Sequence, residues 1–96
     1  MIMENESRLQ SAKRRAREEL IAYVQAPSDT RAEGILYMAF KELFEASGCV
    51  NRIVPEIEEM SRSIVARGVV IDCIHALSHE QVQKAERVAM KIATTF

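Results

Sequence analysis

The sequence is poor in the residues that build sheets and loops. Its 96 residues include 3 glycines, 2 prolines and no tryptophan, and aromatic residues make up only 5%. A β-sandwich or β-barrel normally needs more aromatic and turn-forming residues than this. With 48% hydrophobic and 28% charged residues, the composition is also unlike that of a disordered chain. It predicts a single α-helical domain over residues 1–96.

The sequence also lacks a large excess of one charge, a set of cysteines that could form a disulfide framework, and long apolar segments. The net charge is −1, without the basic excess that is typical of a dedicated nucleic-acid binder. Two cysteines, Cys49 and Cys73, are too few for a disulfide framework. No apolar run is long enough to cross a membrane, and the N-terminus lacks the pattern of a signal peptide. We therefore expect a reduced, cytoplasmic protein that does not associate with membranes.

Hydrophobic periodicity predicts four helices, because apolar residues recur every three or four positions. The first helix covers residues 4–26, and the second runs from Thr30 to about Ala46. The third follows a linker at 49–54 and continues to Leu77, straight or bent at Gly68. A short strand over the β-branched residues 69–71 is the alternative at that point. The fourth helix carries a strict three-four repeat from Val82 to Phe96.

The predicted fold is an all-α, small four-helix bundle-like domain with a long or kinked third helix. An unbroken third helix of about 27 residues would be roughly 40 Å long and would overhang such a bundle. The second helix is apolar around most of its circumference, so we expect it to be the central, most buried one. Gly34 within it predicts a close helix crossing, since glycine in a helix interior costs about 1 kcal/mol relative to alanine.

Two helix ends carry clear local signals. Ser78 followed by Gln81 fits a capping box, and Leu77 with Val82 fits the hydrophobic staple that accompanies it. At the end of the second helix, Ser47-Gly48 predicts a glycine C-cap. The other starts are less defined. Thr30 with Glu33 also fits a capping box at the start of the second helix, with Ser28 or Asp29 as the alternative cap, and Asn51 could cap the third.

Histidine and cysteine give only weak indications of chemistry. On one unbroken helix, Asp72, His75 and His79 would present three metal ligands on one face. The cap at Ser78 predicts instead that the helix stops between the two histidines, so we expect no metal site. Cys73 lies in an apolar stretch and is predicted to be a buried structural thiol rather than a nucleophile.

The sequence holds none of the common catalytic or phosphate-binding motifs. Its three glycines are isolated, and the acidic residues near Pro55 match the first turn of a helix, where acid complements the helix dipole. We therefore expect that the protein is not an enzyme and binds no cofactor.

A basic cluster in the first helix is the best indication of nucleic-acid binding. Its members are Lys13, Arg14, Arg15 and Arg17. Two of these arginines can pair with glutamates four residues later, which leaves a small patch. A helix-turn-helix cannot be placed either. With Gly48 as the turn, the recognition helix would contain Pro55, and with Gly68 it would be too apolar for a groove.

We predict a non-catalytic interaction module, an adaptor, regulator or inhibitor that binds another protein and forms a homodimer. Symmetric pairing is the commonest way in which soluble chains cover surplus apolar surface. The predicted interface comprises Ile64, Ile71, Ile74, Val82, Ala85, Ala89, Ile92 and Phe96. The alternative is a small nucleic-acid-binding regulator that uses the basic cluster, and an enzyme ranks third.

Overall fold

The computed structural model describes residues 3–26, 30–49 and 55–95. It confirms an all-α fold of four helices, and no strand occurs within those residues. The helices are α1 (Met3–Gln25), α2 (Thr30–Ala46), α3 (Pro55–Cys73) and α4 (His79–Thr95), with a 3-10 turn at Ile74–Ala76.

The helices pack as two pairs. α1 lies mainly along α2 and α3 mainly along α4, and the two pairs meet largely where α1 contacts α3 and α4. Small residues allow the close approach, since Ala16, Ala85 and Ala89 are fully buried. Phe40 and Phe44 fill the space beside them, with their rings edge to face at 5.9 Å between centroids. The result is one contiguous core shared by all four helices.

The prediction that α2 is the central helix is wrong, although α2 supplies four of the six largest fully buried side chains, Leu36, Phe40, Leu43 and Phe44. Its inner residues Leu36 and Phe40 are fully buried, but Ile35 and Met38 are exposed. Because α2 packs chiefly on one neighbour, α1, its opposite side faces solvent. The close crossing expected at Gly34 is absent too, since an added Cβ there would meet nothing within 4 Å.

α3 passes through Gly68 without a break, but it ends earlier than predicted. The α-helix stops at Cys73, and Leu77 is extended, with φ −122° and ψ 148°. The chain has to leave the helix here because Ser78 caps the next helix, which begins at His79. With 19 residues, α3 is about 28 Å long, which fits the 37 Å long dimension of the molecule. The predicted 40 Å overhang therefore does not arise.

Both predicted end signals are confirmed. The Ser78 N–H donates to Gln81 Oε1 at 2.9 Å, and the Gln81 N–H donates to Ser78 Oγ at 3.3 Å, which is a reciprocal capping box. At the end of α2, the Cys49 N–H donates to the Phe44 carbonyl at 2.8 Å and the Gly48 N–H to Glu45 at 3.2 Å. Gly48 has φ +75°, so this is a Schellman motif.

The cap residues predicted at Ser28, Asp29 and Asn51 lie outside the described residues. Within the described part of the chain, no helix combines the length and the apolar character that crossing a bilayer requires.

Candidate interaction surface

α3 is apolar on two opposite sides. Its inner side contributes Ala66, Val69, Val70 and Cys73 to the core, all nearly or fully buried. Its other side leaves large apolar side chains in solvent, with exposed fractions between 46% and 68%. These residues are Ile57, Met60, Ile64, Ile71 and Ile74, the last in the 3-10 turn that follows α3. We call this set the outer α3 face.

The spacing of these residues explains why they form one stripe. Positions 57, 60, 64, 71 and 74 are separated by three, four, seven and three residues, so they follow one side of a helix. Arg67 occupies the position that would complete the three-four repeat, and its side chain is exposed. Ala66 and Val69 point the opposite way into the core, which fixes the outer face toward solvent.

A shallow depression interrupts the stripe at Gly68. One cavity of about 440 Å³ is lined by Met60, Ser63, Ile64, Arg67, Gly68 and Ile71. A second, of about 410 Å³, lies between α1, the end of α2 and α3, and shares Gly68 and Ile71 with the first. A Cβ added to Gly68 would meet nothing within 4 Å. No contact with a described residue therefore requires glycine here, and the missing side chain leaves a notch in the outer α3 face.

The residues of the predicted interface fall into three groups. Ile64, Ile71 and Ile74 lie on the outer α3 face, exposed to solvent. The α4 residues belong to the core of the chain itself, since Ala85, Ala89 and Ile92 are buried there and Val82 is partly buried against it. Phe96 lies outside the described residues.

Sequence reasoning left Ile57 and Met60 out of the interface. Both continue the stripe of Ile64 toward the start of α3, and each is at least 60% exposed. Periodicity alone marks them as one side of a helix, but it cannot say whether that side faces the core or solvent. The signal that could have identified them is the second apolar side of α3, around Val69 and Val70.

Arg62 is a buried residue that the sequence analysis did not single out. Its Nε–H donates to the Ala93 carbonyl at 2.8 Å, and its guanidinium lies 3.8 Å from a Glu58 carboxylate oxygen. The carbonyls in the last turn of α4 have no partner within their own helix, and a cation there also complements the helix dipole. Arg62 therefore ties α3 to the end of α4. The four-residue spacing from Glu58 was the available signal.

The four residues of the predicted basic cluster do not form one patch. Arg15 pairs with Glu42 on α2 at 3.5 Å. On the other side of α1, Lys13 lines the cavity that also contains Asp72, and Arg17 is half-buried beside Cys73. Arg14 is exposed. The positive charges thus point in several directions, and acidic groups lie near two of them.

A further basic group, Lys84, Arg87 and Lys91, lies on α4. Lys84 lies over the Tyr23 ring, 5.5 Å from its centroid, and Lys91 lies 4.0 Å from Glu33. Arg87 lines the shallow groove between them. Both charged contacts are exposed at least in part, so each stabilises the fold only slightly.

Both cysteines are free and buried, as predicted for Cys73. Burial raises the pKa of the Cys73 thiol from 9.0 to about 11, while the nearby Arg17 charge lowers it and Asp72 raises it slightly. Burial also raises the pKa of Cys49, against the opposing charge of Arg62. Cys73 Sγ lies 3.7 Å from the Arg17 carbonyl, which its S–H faces. Both thiols stay protonated near neutral pH and are poor nucleophiles.

The two histidines are separated by the turn that the capping box creates. His75 lies in the 3-10 turn and His79 is the first residue of α4, with its ring 3.4 Å from the Gln83 amide. Among residues 3–26, 30–49 and 55–95, no three histidine, cysteine or acidic side chains are grouped closely enough to hold a metal ion.

In comparisons with known proteins, no family model, no curated protein and no solved structure matches this chain. The outer α3 face is the feature of the described residues from which a function can be argued.

Proposed function

We propose that this protein is a non-catalytic helical interaction module that binds another protein through the outer α3 face. The observation that carries the proposal is the row of five large apolar side chains that the fold leaves in solvent. Monomeric soluble proteins rarely expose large contiguous apolar patches, and such patches commonly mark interaction sites. Self-association is the form of this binding that can be measured on the purified chain.

The exposed surface is large enough to support association. Full burial of one large apolar side chain contributes about 1.5–3 kcal/mol. The five residues, with exposed fractions of 46–68%, would contribute on the order of 9–18 kcal/mol when the faces of two copies are covered. Association costs about 4–15 kcal/mol in lost translational and rotational freedom. The two ranges overlap, so covering this face is of the size needed to offset the cost of bringing two chains together.

The chemistry of the described side chains favours binding over catalysis. The two thiols are buried and their raised pKa values keep them protonated. The two cavities beside Gly68 are open and lined mainly by apolar residues, with Lys13, Asp72 and Arg67 at their edges. An open apolar groove suits another helix better than a substrate that must be held away from water.

A pair of matched substitutions tests the proposal. Ile64→Glu places a charge at the centre of the outer α3 face, and Met38→Glu does the same at an exposed apolar position on α2. We expect the wild-type chain and Met38→Glu to self-associate at micromolar concentration in sedimentation velocity. Ile64→Glu should remain at the chain mass of 10.9 kDa. Circular dichroism should show the same helix content in all three.

The proposal fails if Ile64→Glu and Met38→Glu sediment alike. Equal association of both variants would place any interface elsewhere on the molecule, and absence of association in all three would remove the role of the face in self-association.

A further inference from the structure

We infer that the outer α3 face binds the same face of a second copy, with the two α3 helices antiparallel about a two-fold axis near Val65 and Ala66. This inference rests on the proposed function and specifies its partner and geometry. The exposed stripe begins at Ile57 and ends at Ile74, so its midpoint falls between those two central residues.

Antiparallel pairing about this midpoint brings the whole stripe into contact with itself. Ile57 then lies opposite Ile74 of the second copy, and Met60 lies opposite Ile71. Both pairs lie at equal numbers of residues from the midpoint. Only Ile74 stands outside the α-helix, in the 3-10 turn, where each residue rises about 2 Å instead of 1.5 Å. A two-fold interface requires this self-complementarity. If a residue of one copy contacts a second residue of the other copy, the reverse contact is made as well. All five exposed apolar residues are covered at once.

Arg67 distinguishes antiparallel from parallel pairing. It occupies the sixth position of the stripe and is exposed. In a parallel pair it would face the Arg67 of the second copy, with two like charges in the centre of an apolar contact. In the antiparallel pair it lies opposite Ile64, where its aliphatic stem can cover the isoleucine while the guanidinium reaches water.

The notch at Gly68 fits the same arrangement. Ile64 of the second copy lies opposite Arg67 and the adjacent Gly68, where the structure has a cavity of about 440 Å³. Glycine in the interior of a helix is unfavourable, and no neighbour within 4 Å of its absent Cβ requires it in this chain. A side chain received from a second copy gives a physical reason for glycine at this position.

The acidic first turn of α3 also opposes parallel pairing. Glu56 and Glu59 are exposed there, and a parallel partner would bring both beside their own copies. In the antiparallel pair both glutamates lie near the end of the second copy's α3. Glu56 then lies opposite His75 instead of another Glu56. Glu59 then meets Asp72, so the antiparallel pair keeps one kind of acidic contact, whereas a parallel pair has three, at Glu56, Glu59 and Asp72.

Cysteine cross-linking tests the direction of pairing. Met60 and Ile71 are exposed, lie opposite each other in the antiparallel pair, and are about 16 Å apart along one chain. Three variants are needed, Met60→Cys, Ile71→Cys and the double substitution. They are treated with a bis-maleimide whose reach is well under that distance. We expect the double variant to give at least ten times more covalent dimer than either single variant.

Two controls separate this result from other sources. The wild-type chain reports any reaction of the buried Cys49 and Cys73. The double variant carrying Ile64→Glu reports cross-links that do not depend on the outer α3 face, and we expect it to give no dimer.

Each contrary outcome overturns the inference. Strong cross-linking of the single variants would show parallel pairing. No cross-linking of the double variant, from a chain that dimerises and is made monomeric by Ile64→Glu, would reject this arrangement and leave the proposed function standing. Cross-linking that survives Ile64→Glu would place the contact elsewhere. Failure of the proposed function is recognised separately, because Ile64→Glu and Met38→Glu then sediment alike.

Discussion

The two glycines inside helices, Gly34 and Gly68, differ in the surfaces on which they lie. An added Cβ meets nothing within 4 Å at either Gly34 or Gly68, so neither glycine is needed for packing among residues 3–26, 30–49 and 55–95. Gly34 lies on an exposed part of α2, whereas Gly68 lies in the notch of the outer α3 face. Only the second is at a surface where another chain is proposed to dock.

Alanine at these two positions should therefore have the same effect on folding and different effects on association. In the monomeric Ile64→Glu background, Gly34→Ala and Gly68→Ala should each raise the free energy of unfolding by about 1 kcal/mol, measured in urea. In the otherwise wild-type chain, only Gly68→Ala should weaken self-association. Equal dimer dissociation constants for the two variants would contradict the role assigned to the notch.

At the scale of the helix, local chemistry determined what could be predicted. The capping box of Ser78 and the glycine C-cap at Gly48 involve residues within a few positions of each other, and both are confirmed. The end of α3 at Cys73 was predicted too late because the apolar repeat continues past it to Leu77. Periodicity records which side of a segment is apolar, and it does not require that the segment remain helical.

The two sides of α3 show most clearly what hydrophobic periodicity cannot predict. Both sides are apolar, and the choice between them depends on where α1 and α4 lie. Small residues on the inner side, such as Ala66 and Val69, allow close packing, while the larger Ile64 is left outside. The α4 residues of the predicted interface lie in the core of the chain for the same reason. Ala85 and Ala89 form a regular seam, and α3 and the other helices already cover it.

Arg62 connects two helices, and no local sequence pattern could predict this contact, because the carbonyl that accepts its hydrogen bond lies on α4. Arg62→Met should lower the free energy of unfolding by about 3 kcal/mol, since it leaves the Ala93 carbonyl and the Glu58 carboxylate without this donor. The exposed Arg14→Met is the matched control and should change it by less than about 0.5 kcal/mol. Chemical denaturation in the Ile64→Glu background measures both. Similar values for the two would show that Arg62 does not anchor α3 to α4.

At the scale of the whole molecule, the fold gives the protein one covered side and one uncovered side of α3. Four helices of 17 to 23 residues share one core, and the core is completed without the outer α3 face. Positive charge is distributed over several sides of α1 and α4, where acidic residues such as Glu42 and Glu33 lie close by. The apolar stripe is therefore the feature that best distinguishes one surface of this molecule from the others.

The measurement that tests this account most directly is the solvent exposure of individual methyl groups. In methyl NMR spectra with a soluble paramagnetic probe, Ile64 and Ile71 should relax strongly in dilute samples, where the chain is monomeric. At concentrations where the mass reaches twice 10.9 kDa, these two methyl signals should become protected, while the exposed Met38 methyl should stay accessible. If Ile64 and Ile71 remain as accessible as Met38 in the associated state, the outer α3 face is not the binding surface.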